Sequence, residues 1–300
     1  MCRISTRIKK VSKTNLFIAP NADKTRQITI YSNLVHNAST NNAMVLPVPL
    51  PHTIQFIDLS AYKDLFKDCA KCFEPKVMRS EDSFGMKRCK GKSTKKLEVF
   101  NVGSYTISLA TNLAELTDDV DESVFKLSDG LKADLTELYA AEPNWGFIIC
   151  KLNTGLNDYH PFAYSHDIYD KTVFIPTQHY HEMDTDDDFS INGSSSVAID
   201  NTNLSYSQFL RNKTAGLNVV KQQPKKNNNT VADDWSHAIY LLNLYPTATM
   251  QRMNSCREIW NQKMVDFTKI PNFEFGPVQN FEKISIHGTH DNIDLTIPYL

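Results

Sequence analysis

Residues Trp145 to Leu152 read WGFIICKL. The run is apolar almost throughout and reads as a buried β-strand. The fold class turns on what surrounds it. Upstream, NLFIAP (15–20), RQITIYSN (26–33) and AMVLPVP (43–49) are rich in β-branched and aromatic residues and are bounded by Asn, Pro and Asp, the pattern of short strands. NADKT between the first two reads as a hairpin turn. Pro47 and Pro49 cannot donate ladder hydrogen bonds, so LPVP should leave its sheet or lie at an edge. LEVFNVGSYTISLAT (97–111) adds two strand-like runs around Gly103, and HPFAYSHD (160–167), KTVFIPTQHYH (171–181), WSHAIYLLNLY (235–245) and EKISIHG (282–288) continue the series.

Helical spacing is confined to four places. DLSAYKDLFKDCAKCF places Tyr62, Leu65, Phe66, Cys69 and Phe73 on one face after an Asp/Ser cap. The others are a short helix near 112–117, SDGLKADLTELYAA (128–141) and SCREIWNQKMVDF (255–267). Strands and helices do not alternate regularly. The expected fold is therefore α+β, with a mostly antiparallel β-sheet core of about nine or ten strands and about four helices.

The chain has 300 residues, 41 % of them hydrophobic and 22 % charged, with a formal net charge of −2. That composition supports a sizeable core and argues against a nucleic-acid protein by bulk electrostatics. No apolar run approaches the roughly 18 residues of a membrane span. The basic start MCRISTRIKKVSK lacks the apolar stretch of a signal peptide. Its lack of acids would suit a mitochondrial presequence, but strand-like sequence begins at Asn15. Six scattered cysteines make no disulfide framework.

Organisation follows from composition. Residues 1–182 plus 235–245 are expected to form a single α+β core domain. KVMRSEDSFGMKRCKGKSTKK (76–96) is strongly basic and aperiodic, so it reads as an exposed loop. Residues 183–234, with DTDDD, NGSSS and KKNNN, read as a low-complexity polar insertion. Residues 246–300 read as a C-terminal extension packing on the core.

The candidate site begins with His179 and His181. On a strand, residues two apart share a face, so both imidazoles can reach one ion. The bland alternative is a polar strand face turned to water. If 171–181 and 235–244 pair as a long-loop hairpin, His237 joins them, and three imidazoles with an open position make a catalytic zinc-type site. Glu182, Asp233 or Asp234 could orient a ring or act as base. The cofactor expected is then zinc or another divalent transition metal, and otherwise none. Cys2 is a second candidate. Removal of Met1 would set its thiol beside a free α-amine, an N-terminal nucleophile arrangement; the alternative is an idle terminal thiol. CAKC (Cys69–Cys72), with Cys89 downstream, is a weak metal or redox signal, because Cys69 sits on the apolar face of its helix. Cys150 reads as core.

Taken in order, the Met-Cys start, QITIYSN, AMVLPVP, FIDLSAYKDLF, LEVFNVGSYTISL, WGFIICKL, HPFAY, VFIPTQHYH and WSHAIY resemble a family of uncharacterised, mainly bacterial (planctomycete-like) proteins. The resemblance covers residues 1–181 and 235–243. It implies matching positions at Cys2, Pro176, Thr177, His179, His181 and His237, and no reaction. It also implies two departures. The family has a short link where this chain carries 183–234, and Ser236 stands where its pattern has an acid before His237.

Two functions follow. One is a hydrolase-like protein that uses Cys2 as a thiol, or a metal-activated water at His179, His181 and His237. The other is a non-enzymatic structural or binding protein, such as an assembly component, whose 183–234 insertion and basic loop contact a protein partner. The asparagine-rich insertion fits an amoebal or large-DNA-virus source. With no secretion signal seen, an intracellular (cytoplasmic) or virion-associated location is expected.

Overall fold

The computed structural model describes residues 3–6, 8–37, 39, 41–73, 97–157, 160–177, 236–245, 255–256, 265–287 and 295–298. Among them are fifteen strands and three α-helices, and two of the strands, β1 (Arg3–Ile4) and β13 (Ser255–Cys256), are only two residues long. The class is the expected β-rich α+β. The strands are more numerous than expected because several are too short or too polar to show a period, among them β5 (Gln55–Ile57) and β9 (Gly155–Asn157).

WGFIICKL is β8 (Trp145–Leu152), the middle strand of a five-stranded antiparallel sheet. Its neighbours are β4 (Asn42–Pro49) and β7 (Tyr105–Ala110), with β1 beyond β4 and β6 (Val99–Val102) beyond β7. The second sheet holds eight strands. Its path runs from β13 through β14 (Phe281–His287), β12 (Ser236–Leu242), β2 (Ile8–Pro20), β3 (Arg26–Asn37) and β10 (Phe162–Asp167) to β5, with β9 also on β3. Only β12 and β2 run parallel among these described pairs. β11 (Thr172–Ile175) and β15 (Leu295–Pro298) form a separate antiparallel pair.

The alternation along β8 explains its composition. Ile148, Cys150 and Leu152 point into a core shared with Leu16, Ile18, Tyr31, Tyr164, Ile239 and Leu241 of the second sheet. Phe147 and Ile149 point the other way, onto Leu116, Leu131 and Leu135. A strand buried on both faces reads as a near-continuous apolar run, interrupted in β8 by half-buried Lys151. The helices α2 (Leu113–Asp118) and α3 (Asp129–Tyr139) therefore cover one sheet, and α1 (Leu65–Cys72) covers the outer face of the other, against Phe17, Ile30, Tyr240 and Phe281. The result is four layers, helix–sheet–sheet–helix, in which each fully buried Leu or Ile stabilises by about 1.5–3 kcal/mol.

Local chemistry sets the ends. The Asn112 side chain accepts from the Glu115 N–H and Ser128 from the Leu131 N–H, capping α2 and α3. NADKT forms the turn between β2 and β3, where Asn21 Oδ1 accepts from the Thr25 and Arg26 N–H groups. Pro47 and Pro49 lie on the β1 side of β4, away from β8. The Ser5 N–H bonds to the Ala43 carbonyl, so the odd-numbered groups of β4 face β1, whose described residues Arg3 and Ile4 lie opposite Val45 and Met44.

Three expectations need correction. The helix begins at Leu65 and not near Asp58, because Asp58 Oδ1 accepts from the Ser60 N–H and successive turns follow; Leu59 and Tyr62 are buried all the same. The fourth helix, 255–267, opens as strand β13 and ends in a 3₁₀ turn at Phe267–Lys269 that Asp266 caps; its middle lies outside the described residues. Finally, β11 and β12 do not form a hairpin.

Candidate functional site

The hairpin that would gather the histidines is replaced by two separate arrangements. β12 lies between β2 and β14, and His237 is in register with Thr14 on one side and Ile286 on the other. β11 pairs with β15 on one edge. On its other edge the Gln27 carboxamide acts as a piece of strand: Oε1 accepts from the Phe174 N–H at 2.9 Å and Nε2 donates to the Phe174 carbonyl at 2.5 Å. With Gln27 fully buried, both peptide groups are satisfied without a neighbouring strand. His179, His181, Cys2 and Cys89 lie outside the described residues, as do Glu182, Asp233 and Asp234. Cys2 directly precedes a well-anchored strand: Arg3 is buried, paired with Asp134 and set over the Tyr139 ring.

The described cysteines are committed to packing. Cys69 and Cys72 lie on the buried face of α1 among Phe66, Phe73 and Tyr240. Burial pushes the Cys69 thiol well above its ordinary range, and the neighbouring Cys72 and Asp68 add to the shift. Cys150, in the inter-sheet core, is raised by burial alone. Burial thus favours the protonated thiol at Cys69 and Cys150. Among the described residues, no group of three or more His, Cys, Asp or Glu is gathered to hold a metal ion.

Two other histidines carry more structure than their spacing suggested. His160 Nε2 accepts from the Ser104 N–H at 2.9 Å, and its Nδ1 lies 2.9 Å from the Pro161 carbonyl. The ring fills the space over Gly103, whose φ of +58° opens the β6–β7 turn and where a side chain would collide with it. Burial holds the His160 pKa below its usual value. His166 follows Phe162 and Tyr164 on the inward face of β10, in register with Gln27. Desolvation lowers its pKa from 6.5 to about 4; the Arg26 charge lowers it too, while the Asp167 carbonyl and carboxylate work the other way. Its Nε2 has no hydrogen-bond partner among the described residues. The signal was present in FAYSHD: period-two alternation puts His166 with Phe162 and Tyr164.

At the end of the second sheet, the β2–β3 and β10–β11 turns are joined by the Ile168 N–H bonding to the Thr25 carbonyl. Between them, Lys24, Thr25, Arg26, Asp167, Ile168 and Lys171 line an open hollow of about 460 Å³. Arg26 is already engaged there, by Asp167 at 2.5 Å, by the Thr53 carbonyl and by Ser165. No helix among the described residues is long and apolar enough to cross a membrane.

No family model and no curated protein matches the chain. Among solved structures, baculovirus P35 is 11% identical, covering 97% of this chain and 97% of that one at a TM-score of 0.37. Mutated baculovirus P35 after caspase cleavage is 9% identical over 97% of this chain and 98% of that one, with a TM-score of 0.41. P35 in its complex with caspase-8 is 8% identical over 96% of each chain, with a TM-score of 0.40. TM-scores of this size do not establish a shared fold.

Proposed function

We propose that this chain is a non-enzymatic binding protein whose double sheet holds the 76–96 and 183–234 segments for contact with a protein partner. The observation that carries this reading is the anchoring of 74–96. It leaves α1 on the outer face of one sheet at Phe73 and returns at Leu97, next to the edge strand β6 of the other sheet. Both anchors are fixed: Phe73 packs against Tyr240 and Phe281, and the Leu97 N–H bonds to the Asp119 carbonyl. A segment held at both ends by a rigid scaffold is how folds commonly carry binding residues. Its composition, with eight basic residues against Glu81 and Asp82, suits an acidic surface. The polar insertion is likewise bordered by buried Thr177 and by the central strand β12.

The test is affinity capture from an extract of the source organism. Wild type is compared with variants in which 76–96, or 183–234, is replaced by a Gly/Ser linker. A partner retained by wild type and lost with either replacement supports the reading. A tightly bound metal in purified wild type, absent from the His179→Ala plus His181→Ala variant, overturns it in favour of a metal-activated site.

A further inference from the structure

We propose that protonation of His166 frees β11 from the Gln27 carboxamide and opens the β11–β15 pair, a pH-gated release of apolar surface from the inter-sheet core. This goes beyond the reading above, which gives β11 no part in function. Among the described residues β11 has one strand neighbour, β15, and belongs to neither large sheet. Its side chains are core all the same. Val173 and Ile175, with Leu295 and Ile297 of β15, lie in the inter-sheet cluster, and Phe174 meets the Trp145 ring edge-on at 4.9 Å. The pair therefore covers apolar surface, while both main-chain groups of Phe174 are held by one side chain, Gln27.

The trigger stands opposite that side chain. His166 of β10 is in register with Gln27 of β3, and directly opposed residues share a face with Cβ atoms about 5 Å apart. Both are fully buried. The ring's partners fix where a proton goes. Nδ1 lies 2.8 Å from the Asp167 carbonyl, which can only accept, so Nδ1 carries the hydrogen and Nε2 the lone pair. Nε2 meets no hydrogen-bond partner among the described residues. A proton there makes a buried cation with a new N–H. The Gln27 carbonyl oxygen is the acceptor opposite, and the Phe174 N–H already holds it. The imidazolium either takes that oxygen from Phe174 or stays unsatisfied, and each outcome weakens the closed form. Nearby charge does not offset this. Arg26 repels the cation, and Asp167, which attracts it, is already held by Arg26. Tyr164 stacks on the ring, and β5, β11 and β15 carry no charged side chain. His52, in the 3₁₀ turn Pro51–Thr53, is exposed, and Lys151 alternates with Ile148 and Cys150 and so lies on the other face of β8.

The experiment is hydrogen exchange of the full chain at about pH 7 and about pH 5, with protection factors corrected for the intrinsic rate at each pH. Above 6.5 both the closed and the opened forms carry His166 neutral. As pH falls, the opened form binds the proton first, because the closed form holds the pKa at about 4. Opening should therefore become about thirtyfold more populated at about pH 5. The β11 amides, Phe174 above all, should be less protected than those of β12 at both pH values and should lose about thirtyfold of their protection, regained on return to neutrality. In His166→Asn that loss should shrink to about twofold or less; should this variant fail to fold, His166→Phe replaces it with the same expectation. Equal protection of β11 and β12 at both pH values overturns the proposal, because His166 would then be uncovered only by global unfolding. So does β11 protection that stays constant down to about pH 5, or a thirtyfold loss that persists without the imidazole.

Discussion

β11 and β12 border the same segment of chain, 178–235, and are held in opposite ways. β12 is a seven-residue strand paired on both sides, with Ile239 and Leu241 in the inter-sheet core and Tyr240 and Leu242 under the α1 layer. β11 has four residues and, among the described residues, one strand neighbour; on its other side the Gln27 amide meets Phe174. Being consecutive in the strand order thus says little about pairing. Stability in a fold is uneven, and strands held by few groups open first.

The contrast can be broken or sharpened by experiment. The largest effect is expected from Ile239→Ala. It leaves a cavity in the inter-sheet core and should lower the unfolding free energy by about 4 kcal/mol in a denaturant titration. A loss under about 1 kcal/mol would show that β12 is not the keystone its pairing suggests.

Gln27→Leu should follow, at about 3 kcal/mol, because it strands a buried N–H and a buried carbonyl of Phe174. Hydrogen exchange should show the β11 amides losing protection ahead of those of β12. Equal loss across both strands would mean that they open as one unit.

The smallest effect concerns pH. His166 is in register with Gln27, the residue that holds Phe174 of β11, and its folded pKa of about 4 lies below the ordinary 6.5. Above 6.5 both folded and unfolded chains carry it neutral, and its contribution is fully present. As pH falls from 6.5 toward 4, the unfolded chain binds the proton first and stability is lost. Between neutrality and about pH 5 the loss should be about 2 kcal/mol, flattened in His166→Asn. A pH profile unchanged by that substitution would remove His166 from the account.

Much of this was legible in the order of residues. WGFIICKL, RQITIYSN and AMVLPVP are strands because their apolar and β-branched residues leave no other economical conformation. Asn112 and Ser128 mark the starts of α2 and α3 because each side chain satisfies an orphan N–H within its own turn. The misreadings share a cause. SCREIWNQKMVDF has helical spacing, yet Ser255 and Cys256 pair with Ile284 and Lys283 of a distant strand. The hairpin proposed for His237 failed because two other strands, β2 and β14, flank β12. For the candidate site, side-chain type and period-two spacing could place His179 and His181 on one face, but not say what lies opposite.

Which way a side chain points along a strand follows from its own backbone geometry and is written in neighbouring residues. So the burial of Phe147 to one side of β8 and Ile148 to the other was already in WGFIICKL. Which strand lies alongside, and whether a carboxamide such as that of Gln27 stands in for one, depends on groups far apart in the chain. Gln27 meets Phe174 across an interval of 147 residues. Such pairings are chosen by the burial and hydrogen bonding of the whole sandwich at once, and no local stretch contains them.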